Sequence, residues 1–389
     1  MVESIRDKVA IIGMGCTKFG ENWDKSAEDM MVEATYEAYE DAGIDPKDID
    51  AMWYGTVWSG TTGQPLATAL KLQYAPITRV ENACATASDA LRNATYAVAA
   101  GVADMALAVG VEKLKDSGFS GLGAAGQPGP NIVPSTTAPG MFAMMATKYF
   151  SRYGLNPEDG KRMIGKVSVK SHHNGTLNPK AHFQREVSLE TVLKAPIIAW
   201  PLGLFDCCGV SDGSAAAIVV RTDVAKNFRP DPVRIKALQM SVGAEGLIRS
   251  DYDYTHVEST YQAGLKAYAE AGVKNAREEI GMAEVHDCFS ITEAVTMEDL
   301  QFSPRGKVQE DIESGFFNLD GGLPVQPDGG LKCFGHPIGA SGLRMMYEMY
   351  KQIQGKAGPR QIKNPKWGLT HNLGGSPPAC TIFVGIVGE

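Results

Sequence analysis

Residues 30–56 read MMVEATYEAYEDAGIDPKDIDAMWYGT, and residues 261–287 read YQAGLKAYAEAGVKNAREEIGMAEVHD. Both begin with apolar residues at helical spacing, stop at an Ala-Gly pair, pass through a charged turn and end in a short run of strand character. An apolar, extended run precedes each copy: KVAIIGMG at 8–15 and VRIKALQMSVG at 233–243. Two copies of strand, helix and strand in one chain point to a duplicated α/β unit. Unrelated units converge on such a pattern too, but the shared Ala-Gly stop favours duplication.

The correspondence continues outward. CATASDALRNATYAVAAG at 84–101 and GHPIGASGLRMMYEMYKQIQG at 335–355 hold matching places, and each opens a helix with small residues. MALAVGVE at 105–112 supplies a strand, after which Gly, Pro, Ser and Thr dominate through residue 140. That composition marks an insertion. GSAAAIVVRTD at 213–223 resumes the first core. The chain divides accordingly into 1–116 with 206–230, an inserted loop domain at 117–205, and a second half at 231–389. The stretch from 117 to 140 has too little periodicity for a core of its own and is expected to order against a neighbouring subunit or lie over the cleft.

Composition narrows the function. With 389 residues, 44% hydrophobic and 21% charged, the chain is long enough for several cores. A net charge of -8 without any Lys/Arg block argues against nucleic acid and anionic membranes. The N-terminus carries acidic residues and no apolar run reaches membrane-spanning length, so a cytoplasmic protein is expected. Seven cysteines without a C-x-x-C pair fit neither a disulfide framework nor a zinc ribbon, and no metal site is predicted. GLGAAG at 121–126 follows no strand and opens no clear helix, which disfavours a dinucleotide site.

Four stretches carry chemistry. Cys84 stands at a strand-to-helix turn, where free N–H groups and the helix dipole favour an anion and are expected to lower the thiol pKa. Its small neighbours leave room for a substrate; the competing reading is a packed core thiol. HDCFSITEA at 286–294 places His286 and Cys288 two positions apart at a strand end. In GHPIGASG at 335–342, His336 is placed to take a proton from a thiol and to donate to an oxyanion. HNLGGSPPAC at 371–380 offers Gly374 and Gly375 for close backbone approach.

NACATASDAL at 82–91, PLGLFDCCGVSDGSAAAIV at 201–219, HDCF and GHPIGASG together resemble the thiolase superfamily, in particular its sterol-carrier-protein-x-like branch, over essentially the whole chain. One departure stands out: Asn372 occupies the place of the second cysteine that most thiolases carry in CIGGG. The resemblance implies that Cys288 takes over its role and that Asn372 lines the pocket. It implies a five-layer αβαβα thiolase fold and acyl transfer between a 3-oxoacyl-CoA and CoA. Cys84 would be the nucleophile and Cys288 the donor to the enolate, whose oxygen His336 and His286 hold. The backbone N–H groups of Cys84 and Gly374 would cradle the acyl-enzyme oxyanion. Coenzyme A is then a co-substrate, with no covalently bound cofactor. A homodimer or larger assembly is implied, with a separate small zinc-ribbon/OB-fold subunit.

The likeness extends to thiolase subunits that cleave benzoylsuccinyl-CoA to benzoyl-CoA and succinyl-CoA. Trp53, Trp58, Trp200 and Phe205 either line a pocket for a bulky acyl group or belong to the core. Cys207, Cys208, Cys333 and Cys380 read as bystanders, with Cys333 nearest suspicion. The alternatives are an acetoacetyl-CoA-forming or other condensing enzyme, a nucleophile-free aldolase, which Cys84 disfavours, and a silent acyl-CoA-binding scaffold.

Overall fold

The computed structural model describes residues 4–117, 137–243 and 252–389. GLGAAG and most of the segment 117–140 lie outside them. Apolar runs at both copies of the repeat form strands: β1 (Val9–Cys16), β2 (Ala51–Gly55), β3 (Ile77–Val80), β4 (Met105–Glu112) and β5 (Gly213–Arg221), then β6 (Val233–Val242), β7 (Met282–Glu284), β8 (Trp367–Ser376) and β9 (Ala379–Gly388). They make one sheet in the order β3-β2-β4-β5-β1-β6-β9-β8-β7.

The duplication is written in this order. β1, β5, β4 and β2 pair antiparallel, antiparallel and parallel, and β6, β9, β8 and β7 pair in the same sequence of senses. The halves join where Ala10 and Ile11 of β1 face Arg234 and Val233 of β6. β3 has only a trace of a counterpart, a single parallel bridge between Ala283 and Val325.

Helices follow from local rules. In α1 (Ala27–Ala42), Ser26 and Asp29 form a reciprocal capping box, and Gly43 ends the helix at φ 68°. α5 (Glu258–Ala271) ends in the same way on Gly272 at φ 81°. The central pair is α2 (Thr86–Ala99) and α7 (Ser341–Ile353). Between the halves of the chain lie α3 (Ala138–Arg152) and α4 (Pro157–Thr176), while α6 (Ser290–Asp299) follows HDCF.

Strand alternation sorts these helices into layers. Ala10, Ile12, Met52 and Val109 face α1, whereas Ile11, Ala106 and Ala217 face a central cluster with Leu91 of α2 and Leu343 of α7. Ile382 and Val384 of β9 face an outer cluster with Ala263 and Ala267 of α5. The sequence of layers is thus α1, half-sheet, α2 with α7, half-sheet and α5: the five-layer arrangement. α2 and α7 cross closely because residue 342 is glycine; a Cβ there would lie 2.1 Å from Ser88 Oγ. Among the described residues, no helix is long and apolar enough to cross a membrane.

Candidate active site

Three loops bring their side chains to one place between the central helices. Cys84 Sγ, a ring nitrogen of His286 and a ring nitrogen of His336 lie within 4.8 Å of one another. The two imidazoles meet edge to face, with centroids 5.2 Å apart. Both histidines are buried, while Cys84 is half-buried.

Cys84 sits two residues ahead of α2 on a turn that Ala83 makes at φ 48°, in the left-handed region. Thr86 holds the turn, its hydroxyl donating to Ala83 O and accepting from Asn82 N–H. β8 passes alongside: a Cβ on Gly374 would lie 2.3 Å from Asn82 O and 3.2 Å from Cys84 N. The Gly375 N–H donates to the Cys84 sulfur, yet burial outweighs it and pushes the thiol up to about 12. This corrects the expected lowering. Cys84 stands before the helix rather than on its first turn, and the cost of a desolvated thiolate exceeds what nearby N–H groups return.

His336 is oriented by Ser341 at 2.8 Å from Nδ1. The Ser341 hydroxyl gives its own proton to Pro337 O, so its oxygen accepts from Nδ1–H. Nε2 is then the free base, buried and without a hydrogen-bond partner among the described residues. Burial, with Arg344 nearby, brings the His336 pKa down to about 3, so the ring is neutral at physiological pH. His286 is likewise held well below its usual range by burial, with the other histidines adding to the effect. His371, unassigned from the sequence, accepts from the His286 N–H at 3.4 Å and meets Thr260 at 3.1 Å.

Cys288 is buried, and desolvation raises its pKa well above that of a free thiol. The charges of Cys208, Cys84 and Asp287 add to this, while Lys332 opposes it. Cys208, read as a bystander, donates its N–H to Cys288 O at 2.9 Å and so borders the site. Beneath, Lys332 Nζ donates to Ser290 Oγ and Asp206 O, and Asp287 accepts from Leu331 N–H. Phe289 stacks on Phe142 of α3 at 4.6 Å.

Glu112 is the residue that ties the loops together. It accepts from Thr56, Val57, Trp58, Ser59 and Gly339 at 2.9–3.1 Å. Burial raises its pKa, but four of these donors are fixed backbone N–H groups, so the carboxylate is the form that fits. Asn372 is fully buried, its amide accepting from Ser88 and donating toward Met345.

The aromatic residues divide. Trp58 and Trp200 are 61% and 57% exposed, which removes the core reading for both. Trp53 packs half-buried against the central cluster, and Phe205 meets His172 edge-on at 5.4 Å. A cavity of about 800 Å³ lies between α4 and residues 312–320 and holds none of the catalytic candidates.

Residues 9–223 match the thiolase N-terminal domain, and residues 244–384 the thiolase C-terminal domain-like family. An acetyl-CoA acetyltransferase of Methanothermobacter thermautotrophicus is 38% identical over 97% of this chain and 98% of its own. Sterol carrier protein 2 of Gallus gallus is 32% identical over 94% of this chain and 70% of its own. Benzoylsuccinyl-CoA thiolase subunit BbsB of Thauera aromatica is 31% identical over 95% of each chain. A solved Ltp2-ChsH2(DUF35) aldolase superposes with a TM-score of 0.84 at 26% identity, covering 100% of this chain and 99% of that one.

Proposed function

The chain belongs to the thiolase family, in its sterol-carrier-protein branch, and is an acyltransferase; on that premise we propose that it cleaves a 3-oxoacyl-CoA with CoA through an acyl-enzyme on Cys84. The carrying observation is a half-buried cysteine whose sulfur lies within 4.8 Å of two buried imidazoles, each with a nitrogen that has no partner among the described residues. Cys84 attacks the keto carbonyl as its proton passes to His336 Nε2, because a thiolate formed in advance is opposed by burial. The carbon–carbon bond breaks to a CoA enolate, whose oxygen His286 and His336 hold and whose carbon Cys288 protonates. CoA then resolves the acyl-enzyme. N–H groups at Cys84 and Gly374 face the acyl oxygen, a contribution typically worth ~10²–10³ in rate.

The likeness to benzoylsuccinyl-CoA thiolase subunit BbsB supports a bulky or aromatic acyl group such as that of benzoylsuccinyl-CoA. The higher identity to acetyl-CoA acetyltransferases favours a second reading, acetoacetyl-CoA in either direction. The reading includes an assembly of at least two copies with a small zinc-ribbon/OB-fold subunit in the cytoplasm; the second protein named in the solved Ltp2-ChsH2(DUF35) aldolase complex supports a partner subunit. Cys84 argues against a nucleophile-free aldolase, and a 3-oxoacyl-CoA cleavage assay distinguishes the enzyme from a silent scaffold.

Incubation with acetoacetyl-CoA and with benzoylsuccinyl-CoA, followed by intact-protein mass spectrometry, tests the reading. A mass increase on Cys84 from either is expected. Cys288→Ala should still acylate there while turnover falls by ~10²–10⁴. No adduct from any 3-oxoacyl-CoA, with or without the partner protein, would end the proposal.

A further inference from the structure

We propose that the pocket formed by Cys84, His286 and His336 is also a Zn²⁺ site, at which the metal and the acyl substrate exclude each other. A thiol and two imidazoles, contributed by three separate loops, are the donor set that borderline-soft Zn²⁺ prefers. Their ligand atoms lie within 4.8 Å of one another. Tetrahedral zinc, with bonds of about 2.3 Å to sulfur and about 2.0–2.1 Å to nitrogen, spaces its ligands roughly 3.3–3.6 Å apart. Side-chain shifts on the order of 1 Å therefore close the site.

Nothing has to be broken to do so. His286 Nδ1 and His336 Nε2 have no hydrogen-bond partner among the described residues. Ser341 at His336 Nδ1 already supplies the outer hydrogen bond that a metal-bound imidazole takes. Zinc held by three protein ligands takes water in its fourth position. His256 is no rival, for Asp299 and Glu258 occupy both of its ring nitrogens at 2.6 Å and Arg305 adds a cation 2.9 Å away. On binding, Zn²⁺ replaces the thiol proton, which leaves to solvent; no electron is transferred. The sulfur lone pair that would attack the carbonyl is then engaged with the metal.

The full-length, chelator-treated protein can be titrated with Co²⁺ as the spectroscopic probe and Zn²⁺ as competitor. One Co²⁺ per chain with a thiolate-to-cobalt charge-transfer band is expected, bleached by Zn²⁺. Free Zn²⁺ at ten times its Kd should slow iodoacetamide alkylation of Cys84 by roughly tenfold. The near-isosteric Cys84→Ser should remove the band. His336→Asn should weaken metal binding by at least ~10-fold, and His256→Gln should leave both binding and band in place. A band that is absent from the wild type or survives Cys84→Ser would overturn the inference, as would unchanged affinity in His336→Asn. Because the readout is the metal spectrum, the proposal stands or falls separately from acyl transfer.

Discussion

Helices α2 and α7 hold matching places in the two halves and touch at Ser88 and Gly342, yet they do different work. α7 is buried from Ser341 through Tyr350, and its charged residues are paired: Arg344 with Glu284 and Asp328, Glu348 with Arg360. α2 leaves Arg92, Asn93 and Tyr96 half-buried and is preceded by the half-buried Cys84 on a left-handed turn. The C-terminal half fixes its histidine in a closed frame. The N-terminal half leaves its cysteine half-buried on the turn ahead of its helix. On the proposed mechanism, one duplicated unit has diverged into a rigid base and a less enclosed nucleophile. The reason is physical: an acid-base group needs a constant environment, whereas a nucleophile needs space.

The sharpest way to break this contrast is Cys84→Ser, which should lower turnover by at least ~10³ and abolish the acyl adduct while leaving the fold intact, as circular dichroism would verify. Normal turnover would move the nucleophile elsewhere. On the other side, Arg344→Met removes the cation between two buried carboxylates and should cost about 3–5 kcal/mol in denaturant unfolding. A loss below ~1 kcal/mol would mean that the frame around α7 is not held by these charges.

The electrostatics of the nucleophile give a third test. With the Cys84 thiol pushed up to about 12, its thiolate fraction should grow ~10-fold per pH unit below that value, so iodoacetamide inactivation should accelerate ~100-fold between pH 7 and pH 9. A plateau in that range would show that the turn and Gly375 N–H lower the pKa after all. Glu112→Gln keeps the size of the group that bridges residues 56–59 to Gly339 but turns an NH2 toward backbone donors. Stability should fall by about 1–3 kcal/mol, with kcat reduced more than the rate of Cys84 alkylation. The smallest effect is expected from Trp58→Ala: exposed as it is, it should change stability by less than about 0.5 kcal/mol. A several-fold rise in KM for a bulky acyl-CoA, without one for acetoacetyl-CoA, would place it at the acyl group.

Much of the fold was legible because its signals are local. Ala-Gly stops at 42–43 and 271–272 end helices through left-handed glycines, and strand alternation sorts Ala10 and Ile11 to opposite faces. The nucleophile loop, HDCF and GHPIGASG stood out because small and reactive residues cluster there against the grain of a core. What stayed hidden were partners distant in sequence. Glu112 meets Gly339 across 227 positions, and His286 meets His371 across 85. Neither pairing has a spacing to detect. Cys208 looked idle because its contact with Cys288, 80 positions on, exists only once the second half packs against the segment just after the insertion.

By itself the sequence determined the α/β repeat, the helix ends and the candidate reactive groups, since these depend on neighbours within a few residues. Tertiary structure alone decided their state. The Cys84 thiol is raised rather than lowered, His336 is neutral with Nε2 free, and Trp58 and Trp200 stand exposed. Each of these depends on how much water is excluded and which distant donors arrive. Desolvation is a sum over everything packed around a group, and no local pattern of residues contains that sum.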